Sequence, residues 1–391
     1  MRIRALLLCL SFAASGVGVH AQTPDQNYKL LLTPQRLRRL QRDRERKTVR
    51  WQNFERRVET VPDSPQRGFE LALYYAITHD EARGREAVRW ATAHRCDRQQ
   101  IPLIGDWCRR FLTDDDLRSL NLRWCGGPAL SYRDMAFNAI AFGDGPFTAE
   151  ALPPNVARNA LDNPRDLYAL CEYLVAVRFV NHADLREQDA PFFRLLPKEF
   201  LLSLKPDQIE HPDWMAHIAA LALVAVDPNL EASQFLQGWA MEENQTITDG
   251  PGVAYEFLWA DPYLPGVAYR NLDPWTYDPA GRLFARVDWY ANSCWISIDS
   301  AGIRQENCSP EVQTTKQTFG SLTLIPMLAP CVEVPARANR ESMILWHVKA
   351  GQTIAYRGEG KKDVVTTADP AGMWLVPENA NNKVCQQRVK P

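Results

Sequence analysis

The sequence predicts an α+β protein of more than one domain, helical across residues 22–265 and built of antiparallel strands across 266–391. Three observations carry this. Up to about Gly250 the apolar residues recur at helical spacing, whereas from Leu283 onward they alternate or come in short β-branched runs. Strands that follow helices instead of alternating with them segregate into a layer of their own. Between the two regimes runs a crossing, Gly250 to Ser300, that holds four of the chain's twelve tryptophans and is broken by Pro251, Pro262, Pro265, Pro274 and Pro279. Proline fixes φ and cannot donate a backbone hydrogen bond, so this crossing is expected to be irregular.

The chain of 391 residues is long enough for two sizeable cores, and 46% apolar with 24% charged residues is an ordinary globular composition. A net charge of −2 argues against nucleic acid as a partner, because phosphate binding draws on a basic surplus.

Residues 1–21 have the pattern of a secretory signal. Arg2 and Arg4 precede the apolar run Ala5 to Val19, and Val19-His20-Ala21 offers small residues for cleavage before Gln22. Ser11, Ser15, Gly16 and Gly18 interrupt the run, which disfavours a membrane anchor. An exported protein, secreted or periplasmic, is the expectation.

The first helical run, Thr33 to Thr60, opens on a capping threonine followed by Pro34. Leu37, Leu40, Trp51, Phe54 and Val58 mark its apolar stripe. Its arginines read as a solvated face, since Asp43, Glu45, Glu55 and Glu59 are interleaved with them. Helical spacing resumes at Arg67–Thr78, Arg83–Ala93, Tyr132–Ala141 and Ala149–Leu161. Asn163-Pro164 opens a helix that runs to about Val180. The run Trp214 to Val226 is apolar on every side: too short to span a bilayer, it reads as a helix buried all round, with His217 a hydrogen-bonded core residue. Asp227 and Pro228 are expected to cap and start the next helix. Such helices joined by short connections imply stacked antiparallel pairs.

Candidate strands follow at Leu283–Tyr290, Cys294–Asp299, Thr318–Ile325, Val332–Pro335, Met343–Val348, Thr353–Arg357, Asp363–Thr367 and Met373–Val376, with Lys349 to Gln352 as a hairpin turn. Setting aside Cys9, eight cysteines remain, an even number that suits disulfides in an exported chain. Sequence neighbourhood favours Cys96 with Cys108 and Cys294 with Cys308, and Cys331 with Cys385 would tie down the C-terminus. No C-x-x-C or His/Cys cluster suggests a metal site, and no G-x-S-x-G, P-loop or dinucleotide fingerprint suggests a cofactor.

Many antiparallel helices, a Trp/Tyr/Pro-rich crossing and then FARVDWYANSCWISID leading into strands resemble the alginate lyase and heparinase II/III-like proteins. The likeness spans roughly Thr33 to Gly302 and is clearest at Leu283 to Gly302, where a strand pair ends in the turn Asp299-Ser300-Ala301-Gly302. It implies an incomplete (α/α) toroid followed by a smaller β domain, and cleavage of uronate-containing polysaccharides by β-elimination. Heparinase-like proteins carry a histidine-rich segment after that turn, whereas Ile303 to Gln313 holds no histidine.

Elimination at a uronate needs a partner for the carboxylate, a base for the C5 proton and an acid for the leaving oxygen. By resemblance those roles fall to Asn181 and Arg178 on the carboxylate and to His182 and Tyr255 on protons. Arg178 lies three and four residues before Asn181 and His182, so on a continuing helix the three share a face. The competing reading is structural, because Asn, Arg and His all suit a helix C-terminus. Trp259, Tyr263, Tyr269, Trp275 and Tyr277 are candidates for stacking on sugar rings, with core packing as the alternative. The expected protein is thus an exported, polysaccharide-active one, a lyase by resemblance; the alternative is a non-catalytic glycan-binding or structural protein of the same fold.

Overall fold

The computed structural model describes residues 27–143, 147–149, 152–278, 281–299, 302–309 and 315–326, and beyond these the strand segments 331–333, 341–348, 353–357, 363–367, 372–377 and 383–387. The expected signal sequence and the turn at 349–352 lie outside them.

Among the described residues fourteen α-helices come first. They are α1 (Pro34–Glu45), α2 (Val49–Thr60), α3 (Arg67–Thr78), α4 (Glu81–Ala93), α5 (Ile101–Trp107), α6 (Asp114–Ser119) and α7 (Tyr132–Phe142), followed by α8 (Pro154–Ala160), α9 (Pro164–Asn181), α10 (Ala190–Ser203), α11 (Pro206–Glu210), α12 (Trp214–Val226), α13 (Glu231–Ala240) and α14 (Gly252–Trp259). Thr33 caps α1 by accepting from the Arg36 amide, and Thr48 caps α2 in the same way, so the first helical run is two helices with a turn at Arg46 to Thr48. The α3–α4 and α9–α12 pairs pack side by side. As the all-round apolar pattern of α12 predicts, its interior is buried throughout.

Three expectations need correction here. Helix α13 starts at Glu231, not at Pro228: Asp227 to Leu230 form a turn, the other structure that Asp-Pro favours. The crossing is less irregular than its prolines suggest, since Gly252 to Trp259 fit between Pro251 and Pro262 as a fully buried helix. Cys96 bonds Cys125 and not Cys108, because residues 101–107 coil into α5 and carry Cys108 into the core as a free thiol. Cys294 does bond Cys308.

The strands form three four-stranded sheets. The first contains β1 (Trp275–Asp278), β2 (Arg282–Arg286), β3 (Trp295–Asp299) and β4 (Gly302–Glu306) in sequential antiparallel order. The other two draw on β5 (Gln317–Phe319), β6 (Leu322–Pro326), β7 (Cys331–Glu333), β8 (Glu341–Val348), β9 (Thr353–Arg357), β10 (Asp363–Thr367), β11 (Gly372–Pro377) and β12 (Lys383–Gln387), in the orders β10-β9-β12-β7 and β11-β8-β6-β5. All pairings are antiparallel except β6 with β8, which is parallel. β8 and β9, the strands on either side of Lys349 to Gln352, belong to different sheets and are not neighbours.

The first sheet joins the two regions by having two apolar faces. Phe284 and Trp295, with Trp289 of the β2–β3 loop, complete the helical core, while Leu283, Ala285, Ile296 and Ile298 pack with Phe319, Leu322 and Leu324 in a second core. Helix α10 lies against β1 and β2 at this junction. Period-two alternation thus gives one strand two apolar clients instead of one core and one wet face.

Candidate functional site

The first two turns of α1 supply most of the charge in a cleft of about 550 Å3 bounded also by the end of α9 and the segment after α14. Arg36, Arg38 and Arg39 come from α1, Arg178 and His182 from the end of α9, and Trp259, Asp261 and Leu264 from the crossing.

Three of the four guanidiniums are fixed by backbone carbonyls. The Arg36 side chain lies across the Trp259 indole, with Cζ 4.2 Å from the ring centroid, and donates to the Leu31 carbonyl at 2.7 Å. Leu31 holds φ at 58°, an unusual value for a branched residue, and this turns its carbonyl toward the arginine. Arg39 is buried and donates to the Leu258 carbonyl at 2.6 Å and to that of Ala260, closing the C-terminus of α14. Arg178 does the same for α12 through the Val226 carbonyl at 2.7 Å. A cation at a helix C-terminus offsets the partial negative charge there.

The electrostatic balance of the cleft is positive. Asp261 is the one carboxylate among its lining residues, against four arginines. Burial first, and then the neighbouring Arg39, push Arg36 down to about 9, with Arg178 acting in the same direction. Burial followed by Arg186 lowers Arg178. Guanidiniums that depress one another gain from any anion placed between them.

The residues expected to act together separate into two groups. Arg178 and His182 both reach the cleft, His182 from a left-handed C-cap with φ 54°. Asn181 does not: its amide donates to the Phe147 carbonyl. Tyr255 lies in the aromatic core, stacked on Phe69 at 4.5 Å and in contact with Tyr168 and Trp214, with burial pushing its hydroxyl up. It is therefore not the proton-handling partner of His182.

The five aromatic candidates are divided in the same way. Trp259 borders the cleft but is only 2% exposed, its face covered by Arg36 and its Nε1 donating to Tyr168 Oη at 3.1 Å. It supports the arginine and leaves no ring face for a sugar. Tyr269 and Trp275 are buried, Trp275 donating to Ser321 Oγ at 2.8 Å, and Tyr277 is half-buried against the second core. Tyr263 alone is open, at 51%, beneath Arg42 and accepting from Arg46 Nη1 at 3.1 Å.

Sequence reasoning missed the arginines of α1 by treating them as a solvated face. A signal was present: Arg36, Arg39, Leu40 and Asp43 fall at i, i+3, i+4 and i+7, one helical face carrying three charges, and Arg39, Leu40 and Asp43 are buried. Among the described residues no group of three or more His, Cys, Asp or Glu side chains converges as metal ligands, and no helix is long and apolar enough to cross a membrane. No protein-family model matches the chain, and no curated protein is significantly similar to it.

Proposed function

We propose that this is an exported protein that binds an acidic, uronate-containing polysaccharide through the arginine cleft between α1 and α9. The observation that carries the reading is the crowding of Arg36 and Arg178 in one accessible cleft, each fixed by a backbone carbonyl and offset by a single carboxylate. A planar guanidinium suits a carboxylate, which it meets with paired donors. The two disulfides fit an oxidising compartment, and the paired helices are compatible with an incomplete toroid whose rim this cleft would occupy.

Eliminative cleavage is the second reading, favoured by Arg178 and His182 facing the same cleft. There Arg178 would neutralise the uronate carboxylate, and His182 would take the C5 proton and, as imidazolium, return it to the leaving oxygen as the C4–O4 bond breaks and the C4–C5 double bond forms, with Tyr255 and Asn181 left in structural roles.

Calorimetric titration with alginate, heparin-like and pectic polymers, alongside a neutral polymer, tests binding. Wild type is expected to bind an acidic polymer only, and Arg36→Ala or Arg178→Ala to weaken it about tenfold or more, the scale of a lost charged hydrogen bond. Equal affinity for neutral polymer, or no loss in either variant, would refute the assignment. Near-ultraviolet absorbance of the unsaturated product then separates the readings: turnover that disappears in His182→Ala supports the lyase, and binding without absorbance supports the binder.

A further inference from the structure

A second basic feature lies at the helix-sheet junction, independent of the polysaccharide reading. Arg286, on β2, is 0% exposed and lies on the sheet face that carries Phe284 and Trp295 toward α10. Its Nη2 donates to the carbonyl of Leu204, the C-cap of α10. The guanidinium covers the Trp289 indole with Cζ 4.7 Å from the centroid. Its Nε and Nη1 are buried with no hydrogen-bond acceptor. Tyr269, 1% exposed, meets the same indole edge-on at 5.3 Å, and its hydroxyl is likewise buried without a partner.

The site therefore presents three donors and a positive charge. Nearby acceptors do not meet the free donors: the Leu202 carbonyl takes Trp295 Nε1 at 2.8 Å, the Leu204 carbonyl takes Arg286 Nη2, and the Asp288 carboxylate, which takes the Tyr290 amide at 3.0 Å, acts on Arg286 without a hydrogen bond to it. The C-terminal end of α10 offsets about half a charge, and the indole face offsets a further part of it. A buried charge offset only in part, with two of its donors unpaired, is costly. Water would accept from these donors but would bring protons that themselves need acceptors, and would leave the charge in place. A small anion accepts from all three and cancels the charge.

We propose that a monovalent anion of about chloride size binds beside Trp289, held by Arg286 and Tyr269, and ties the first sheet to the end of α10. Thermal unfolding of the full exported chain at fixed ionic strength, with chloride replaced stepwise by gluconate, tests this, since gluconate is too large for a sealed site and screening stays constant. The melting temperature of wild type is expected to rise saturably by several degrees with chloride, and this dependence to vanish in Tyr269→Phe and Arg286→Met. Bromide-soaked crystals should show an anomalous peak at the guanidinium. Indifference of wild type to chloride, or a chloride effect that persists in both variants and so belongs to the surface, would overturn the proposal. Should Arg286→Met fail to fold, Tyr269→Phe, which removes only a hydroxyl, and the bromide peak decide.

Discussion

Glu199 on α10 is fully buried, and neither of its carboxylate oxygens has a hydrogen-bond partner. The arginines near it pair with other carboxylates: Arg158 with Asp189 at 3.0 Å and Asp278 at 3.3 Å, and Arg282 with Asp162 at 3.4 Å and Asp278 at 3.8 Å, its Nη2 making no hydrogen bond. Burial, reinforced by Asp278 and opposed by Arg282 and Arg158, raises the Glu199 carboxyl to about 7 from an ordinary 4.5. An acid raised on folding holds its proton longer in the native state. Its favourable contribution is thus complete below about 4.5 and is lost as the pH rises through 7. The full span corresponds to roughly 3 kcal/mol at ~1.4 kcal/mol per tenfold.

Replacing Glu199 with glutamine keeps the shape and removes the titration. The variant and wild type should be about equally stable near pH 4.5. Toward about pH 8 the variant should become more stable by roughly 3 kcal/mol, the full span, since a buried amide and the buried protonated acid it replaces are desolvated alike. Urea unfolding across that range measures the difference without adding salt. Asp106, which burial also raises to about 7, titrates in both proteins and cancels in the comparison. A pH-independent difference, or a variant less stable than wild type at about pH 8, would refute the reasoning.

Two further outcomes follow from close packing and from the cysteines. A Cβ at Gly238 would lie 1.9 Å from the Val267 carbonyl oxygen, a backbone atom of a residue whose amide donates to the Gln234 carbonyl at 2.9 Å, so Gly238→Ala should cost about 3 kcal/mol in urea unfolding. Peptide mapping should recover Cys96 with Cys125 and Cys294 with Cys308, and also Cys331 with Cys385, which face each other in the β7–β12 register. The thiols of Cys108 and Cys171, buried and pushed up by that burial, should resist alkylation until the chain unfolds.

The parts of this fold that were legible in the sequence are those set by local pattern. An all-apolar run of thirteen residues can only be a buried helix, and α12 is one. His217 was expected in the core and is there, 1% exposed, but neither ring nitrogen finds a partner and burial pushes it down to about 4, so only the location was readable. Helix α14 escaped because its eight residues are all buried and show no polar face from which to read a period. The Cys96 pairing failed because the shortest loop was preferred over one that α5 rearranges.

The candidate site divides along the same physical line. Arg178 stands in the last turn of α9 and His182 is its left-handed C-cap, so the local geometry of one helix end brings them to one wall, and they share the cleft. Tyr255 stands on a different helix, and which of its faces meets α9 depends on how α2, α3, α9 and α12 pack around α14, a tertiary matter that spacing does not encode. The same packing explains the aromatic crossing. Its rings are too large to leave in water where helices meet a sheet, so most close the junction, and the ligand-facing role passes to arginines that the rings support. Arg36 on Trp259 shows why the two signals were easy to confuse. The tryptophan marks the place correctly, while the chemistry belongs to the cation lying on it.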